Sequence, residues 1–216
     1  MINSFPKRKL GKPKVNLYEI PGLPTQEQRI NESLQILGLT GMLSSYRPIA
    51  NRVITQKLTP HDFLESLIEK EMAAREENRL NRWIQQAKFP WKKTIEDFDF
   101  AYQSTIDQQQ IRELASCRFI KNSSNIIFLG QTGVGKTHLS IAIGLEAIRL
   151  GHEVRFLTLS QLIEQVTRSV EKERLNIFFG SLLRPELLIL DEMDLYEVDQ
   201  TTSTFLFKLL YGRYEN

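Results

Sequence analysis

Apolar positions change their rhythm along this chain. From Thr25 to about Arg52, Ile30, Leu34 and Leu37 recur at spacings of four and three, the period of one helix face, with Gly38 and Gly41 interrupting. Thr59, Pro60, His61 and Asp62 read as a helix start: a capping hydroxyl, a proline at the first helical position and an acid at the positive end of the dipole. Phe63, Leu64, Leu67, Ile68, Met72, Leu80, Trp83 and Ile84 then form an apolar stripe, and Pro90 ends the helix by about Phe89. Residues 25–93 are therefore predicted to be a small all-helical domain. Residues 94–124 read as a connection with one helix, around Asp107 to Phe119.

The rhythm then shortens. Asn125 to Leu129 is a brief apolar run, as expected of a buried parallel strand. A helix is expected over 136–150, stopped by Gly151. Glu153 to Leu159 reads as a second strand. Ser160 is expected to cap a helix reaching about Phe179, Leu187 to Leu190 reads as a third strand, and Asp199 caps a last helix with Phe205, Leu206, Leu209 and Leu210 inward. Alternating strands and helices point to an α/β fold with a doubly wound parallel sheet over 94–216.

Composition adds boundaries. The 216 residues are 41% hydrophobic and 25% charged, which excludes collagen-like, low-complexity and wholly disordered chains. One cysteine excludes an internally stapled scaffold, no run is apolar enough for a membrane span, and Lys7, Arg8 and Lys9 have no apolar stretch behind them as a secretory signal would. A soluble, reducing, cytoplasmic setting is the expectation. The net charge of +2 conceals an asymmetry: residues 1–93 carry +7 and residues 94–216 carry −5. Residues 1–24, with Pro6, Gly11, Pro13, Pro21, Gly22 and Pro24, read as a basic flexible arm. A basic module that meets a polyanion fits this split, as does a basic tail that aids solubility.

The strongest chemical signal is Gly130, Gln131, Thr132, Gly133, Val134, Gly135, Lys136 and Thr137, which fits G-x-x-x-x-G-K-[ST] at every position. Glycines let successive backbone N–H groups turn inward onto phosphate oxygens, and the following helix adds its dipole. Lys136 is expected to reach the β- and γ-phosphates, and the Thr137 hydroxyl to ligate Mg²⁺. Asp191 and Glu192 follow four apolar residues, at the carboxyl end of a strand, where open α/β sheets bind ligands. Asp191 is expected in the Mg²⁺ shell and Glu192 as the base that activates water, which points to NTP hydrolysis.

With those residues, the sequence resembles the IstB/DnaC-like branch of AAA+ P-loop ATPases. Gly133 to Leu139, Thr94 to Phe100 and Arg118 to Ile120 carry the resemblance. Leu39 to Met42, Phe63, Leu64 and Ala87 to Pro90 are similar to the N-terminal domain of the IstB transposition helpers; the resemblance covers about residues 28–216. It implies an ATP-binding set from Gly130 through His138, catalytic roles for Lys136 and Glu192, metal ligation by Thr137 and Asp191, and Phe98 and Phe100 in a stretch near the base. It further implies a protein that binds DNA and ATP, assembles with copies of itself, and assists a transposase in choosing a target. Relatives continue past the acid pair with a sensor strand, an arginine finger and a helical lid, whereas this sequence ends 24 residues after Glu192. The expectation is thus a C-terminally truncated member with an incomplete sheet and impaired hydrolysis.

Arg75, Arg79 and Arg82 share one helix face, and Lys88, Lys92 and Lys93 follow. With Lys7, Arg8 and Lys9 they form a candidate strip for DNA phosphates, without base readout. A solvated face is the plainer alternative. Cys117 reads as a buried helix residue, Trp83 as core, and His61, His138 and His152 as too scattered for a metal site. Two other functions compete: a DnaC-like helicase loader acting in DNA replication through protein contacts, and an inactive remnant.

Overall fold

A computed structural model of the chain describes residues 25–103, 105–193 and 197–215. The basic arm, with Lys7, Arg8 and Lys9, lies outside them. Contacts divide the chain within one long helix, between Ala74 and Arg75.

The first unit is helical. Helix α1 (Gln26–Ile36) opens with a capping box in which Thr25 and Gln28 satisfy each other's backbone N–H groups. Gly38, at φ +68°, turns the chain into α2 (Thr40–Gln56). Helix α3 (Pro60–Ala87) starts as the sequence suggests: Asp62 accepts from the Thr59 N–H, and Thr59 Oγ1 accepts from the Asp62 N–H. Tyr46, Ile49 and Leu67 form a small core with Leu34, Met42 and Phe63. The stripe is only half used, since Leu64, Ile68 and Met72 are exposed. Helix α2 has no side-chain cap of its own. Two N–H groups of its first turn, at Gly41 and Met42, donate to the buried carboxylate of Glu71 at 2.9 and 3.2 Å.

The second unit holds α4 (Gln108–Ala115), α5 (Arg118–Lys121), α6 (Lys136–Arg149), β1 (Val154–Thr158), α7 (Leu159–Glu171), α8 (Leu175–Leu183), β2 (Leu187–Asp191) and α9 (Gln200–Glu215). Strands β1 and β2 pair in parallel, Phe156 opposite Ile189 and Thr158 opposite Asp191. Their side chains alternate between two cores, as the pleat requires. Val154, Phe156, Leu187 and Ile189 meet Ile141, Leu145 and Ile148 of α6, together with Ala87 and Trp83. Leu157, Leu188 and Leu190 meet α7, α8 and α9 through Leu162, Val166, Leu182, Phe205 and Leu209. Helices thus cover both faces of a small parallel sheet. Arg213 ties α9 to the end of α8, donating to the carbonyls of Leu182, Pro185 and Glu186 at 2.8–3.0 Å.

Five sequence expectations change. The run Asn125 to Leu129 is not a strand: among the described residues the sheet has two strands, and this run pairs with neither. A strand exists through its partner, and here Ile127 and Leu129 stand 78% and 89% exposed. The cap of α7 is Thr158 rather than Ser160, in a capping box with Gln161. The expected 160–179 helix breaks into α7 and α8 at Glu173, which sits at φ +53°. The expected 107–119 helix likewise breaks at Cys117, φ +55°, so this buried cysteine joins α4 to α5 instead of lying within a helix. Finally, Leu210 is exposed, leaving Phe205, Leu206 and Leu209 to face the core. No described helix is long and apolar enough to cross a membrane.

Candidate nucleotide-binding site

The phosphate loop is built where α6 begins. Gly133 and Gly135 sit at φ +83° and +97°, values that favour glycine, and Gly135 is the N-cap residue of α6. No side chain caps this end, so the first-turn N–H groups of α6 are left for an anion. The ammonium of Lys136 folds over the loop and donates to the carbonyls of Gly130 and Gln131 at 2.7 and 3.0 Å. Lysine has three donors, so one remains for a ligand. Gln131, Thr132 and Gly133 are exposed, and Val134 is half-buried.

Two candidate metal ligands converge here from distant parts of the chain. Thr137 Oγ1, on the first turn of α6, donates to Asp191 Oδ2, at the tip of β2, at 2.6 Å. Close packing of α6 on β2 sets this approach. A Cβ on Gly144 would lie 2.9 Å from both Ile189 Cδ1 and Phe89 Cζ, so the helix comes nearer the sheet than a larger residue allows. Glu192 follows Asp191 at φ +58°, exposed and without a hydrogen bond among the described residues.

His138, the last residue of the expected ATP-binding set, turns aside. Its Nε2 lies 2.7 Å from the Thr94 carbonyl, and because a carbonyl only accepts, Nε2 carries the hydrogen. Thr94 opens a tight turn in which its N–H and hydroxyl both donate to Asp97 Oδ2, at 2.9 and 3.0 Å. These bonds hold the Asp97 carboxyl below the ordinary aspartate range, the backbone bond contributing most. Phe98 is buried with Ile111 and Leu139, and packs edge-on against Phe100 and His138. The sequence reading missed this turn, although a threonine three residues before an aspartate is a legible capping signal.

The candidate DNA strip is unevenly engaged. Arg79 makes a bidentate pair with Glu76 (2.9 and 2.5 Å) and stacks over the Trp83 ring at 4.6 Å. Arg82 donates to the Asn78 carbonyl, and Arg75 also has a partner. Lys88 and Lys92 are exposed and make no ion pair among the described residues, and the Lys93 charge faces Asp97. Cys117 is walled off: burial pushes its thiol up to about 11. No group of three or more His, Cys, Asp or Glu that could hold a metal occurs among the described residues.

Residues 32–216 match the family described as IstB-like ATP binding protein. The chain belongs to the IstB-like family. Among similar proteins, the insertion sequence IS5376 ATP-binding protein of Geobacillus stearothermophilus is 35% identical over 190 residues, covering 88% of this IstB-like chain and 76% of the relative. The insertion sequence IS21 ATP-binding protein of Pseudomonas aeruginosa is 38% identical over 160 residues, covering 74% and 60%. The insertion sequence IS232 ATP-binding protein of Bacillus thuringiensis subsp. berliner is 31% identical over 188 residues, covering 87% and 75%. The aligned IstB-like region includes the phosphate loop and the acid pair.

Proposed function

We propose that this chain binds ATP with Mg²⁺ at the 130–137 loop and serves, in the cytoplasm, as the ATP-dependent helper of an insertion-sequence transposase on DNA. The observation that carries the reading is the 2.6 Å bond between Thr137 and Asp191, beside the Lys136 ammonium. A hydroxyl and a carboxylate oxygen at an open site are hard donors of the kind Mg²⁺ takes, in small number, alongside substrate phosphates. When bound, the metal neutralises charge on the phosphates. Loop N–H groups and the free donor of Lys136 orient the triphosphate, and Glu192 is the candidate base for the attacking water. Slow turnover by the chain alone belongs to the same proposal, and it turns on how the exposed Glu192 carboxylate is oriented toward a water.

For DNA, the reading assigns residues 25–93 to phosphate contact, led by Lys88, Lys92 and Lys93 with the arginines of α3. Self-assembly and the transposase contact belong to the same proposal, supported by the insertion-sequence relatives.

Titration with a fluorescent ATP analogue tests the core of it. Binding is expected to need Mg²⁺ and to weaken about 10- to 150-fold in Lys136→Ala, which removes a charge-assisted bond. Thr137→Val is expected to raise the Mg²⁺ concentration that binding requires. Metal-independent binding, or wild-type affinity in Lys136→Ala, refutes the ATP site. A fast, DNA-stimulated turnover refutes the slow-hydrolysis part, and DNA affinity that stays flat as salt rises refutes the phosphate strip.

A further inference from the structure

Helix α6 begins with Gly135 at its cap and carries Gly144 in its middle, and a phenylalanine from one short segment lies against each. A Cβ at Gly144 would come within 2.9 Å of the Phe89 ring. A Cβ at Gly135 would overlap the Phe98 ring, whose Cζ lies 3.0 Å away. Phe89 is anchored in turn by an edge-on contact with Phe156 of β1, and Phe98 by its buried cluster with Ile111 and Leu139. A polar link joins the two apolar ones: His138 Nε2 donates to the Thr94 carbonyl at 2.7 Å, and the Phe98 ring stands 5.1 Å from the imidazole at 83°. Asp97 closes the turn that presents this carbonyl.

The loop needs such support. Its glycines leave φ and ψ loosely determined, and a glycine-rich loop loses the most conformational entropy when ordered. Lys136 bridges its first two carbonyls, but that same ammonium is needed by a ligand. Gly135, at φ +97°, joins loop to helix; Phe98 bears on it from outside the loop, and His138 packs on Phe98 in turn.

We infer that residues 89–98 form a two-point strap that holds the phosphate loop in its ligand-receiving shape, with Phe98 and His138 as positioning residues. The link to nucleotide rests on the ATP reading above. The link to loop shape does not.

Hydrogen exchange of the unligated full chain and equilibrium binding of a fluorescent ATP analogue with Mg²⁺ test the strap together. In His138→Ala, loop-and-helix peptides spanning 130–143, read at the N–H groups from Leu139 on that bond back to the preceding turn, are expected to exchange about ten-fold faster, and the analogue to bind about ten-fold more weakly, as for one lost hydrogen bond. Peptides of β1 and β2 should keep their wild-type rates. His138→Gln, which restores an N–H donor of similar reach, should recover most of both effects. Phe98→Ala should act as His138→Ala does, and Phe98→Leu, which keeps apolar bulk, should act more mildly. Wild-type loop exchange in His138→Ala and Phe98→Ala overturns the strap. So does a joint acceleration of loop and sheet that Gln and Leu fail to rescue, since that marks ordinary core packing. If the wild-type chain binds no analogue, the ATP reading falls, while the loop exchange rates still decide the strap.

Discussion

Replacing Glu71 with alanine removes the acceptor for two backbone donors at once. Glu71 is 5% exposed, and its carboxylate takes the N–H groups of Gly41 and Met42, the start of a helix that has no cap of its own. Hydrogen bonds to a charged group contribute about 1.5–3 kcal/mol each, and a carboxylate at a helix N-terminus adds about 0.3–1 kcal/mol. Against these stands the cost of burying the charge, which alanine relieves. A net loss of about 2–3 kcal/mol follows. Gly41 cannot shift to compensate, because it sits so close to the α3 backbone that a Cβ there would lie 2.7 Å from Glu71 Cα. Hydrogen exchange by mass spectrometry reads the effect locally. Peptides over the first turn of α2 should open about 30- to 150-fold more often in Glu71→Ala, while α6 peptides serve as an internal control. Glu71→Gln keeps an acceptor oxygen and loses the charge, so it should fall between. Exchange within about threefold of wild type in Glu71→Ala would show that the two N–H groups find water or another acceptor, and would refute the capping role.

Three further outcomes are expected. Gly144→Val should destabilise the second unit by about 1–3 kcal/mol in urea unfolding, since its Cβ meets Ile189 and Phe89 at 2.9 Å; an unchanged midpoint would mean that α6 can move off β2 without cost. Cys117, raised to about 11 by burial, should be inert to a thiol-selective reagent at pH 8 in the native chain and react at once in urea; native labelling at the unfolded rate would contradict its burial. The Asp97 carboxyl, lowered by its bonds to Thr94, stabilises the turn above its unfolded value of about 3.9 and loses that contribution as pH falls through its folded value. Its NMR titration midpoint should therefore lie below about 3.9 and rise in Thr94→Ala; a midpoint at or above the unfolded value would remove the turn's carboxylate from the account.

Much of the site was legible from residue order alone, because its parts are local. Gly130 to Thr137 fit a phosphate-loop motif, which needs only its own spacing and the helix behind it. The start of α3 at Thr59 and Asp62, the stop at Gly151 and the Asp199 cap, which takes the Thr202 N–H, are equally local, each a side chain meeting a backbone group a few residues away. Position along the chain also placed an acid pair after an apolar strand.

The tertiary structure decided whatever depends on a distant partner. Asn125 to Leu129 has the composition of a strand, yet a strand is defined by the backbone beside it, and no described strand pairs with it. Thr137 and Asp191 are 54 residues apart in sequence, and only the close seat of α6 on β2 at Gly144 turns two side chains into one site. Nothing in the spacing around Glu71 marks it as a cap, and folding alone places it under the start of α2. Phe98 was expected in a stretch near the base and His138 in the ATP-binding set, and their contact with each other arises only once the chain brings Thr94 against α6. Periodicity and spacing record what a residue does to its own backbone, whereas hydrogen bonds and close contacts across the fold belong to pairs, and a pair is not written at either of its positions.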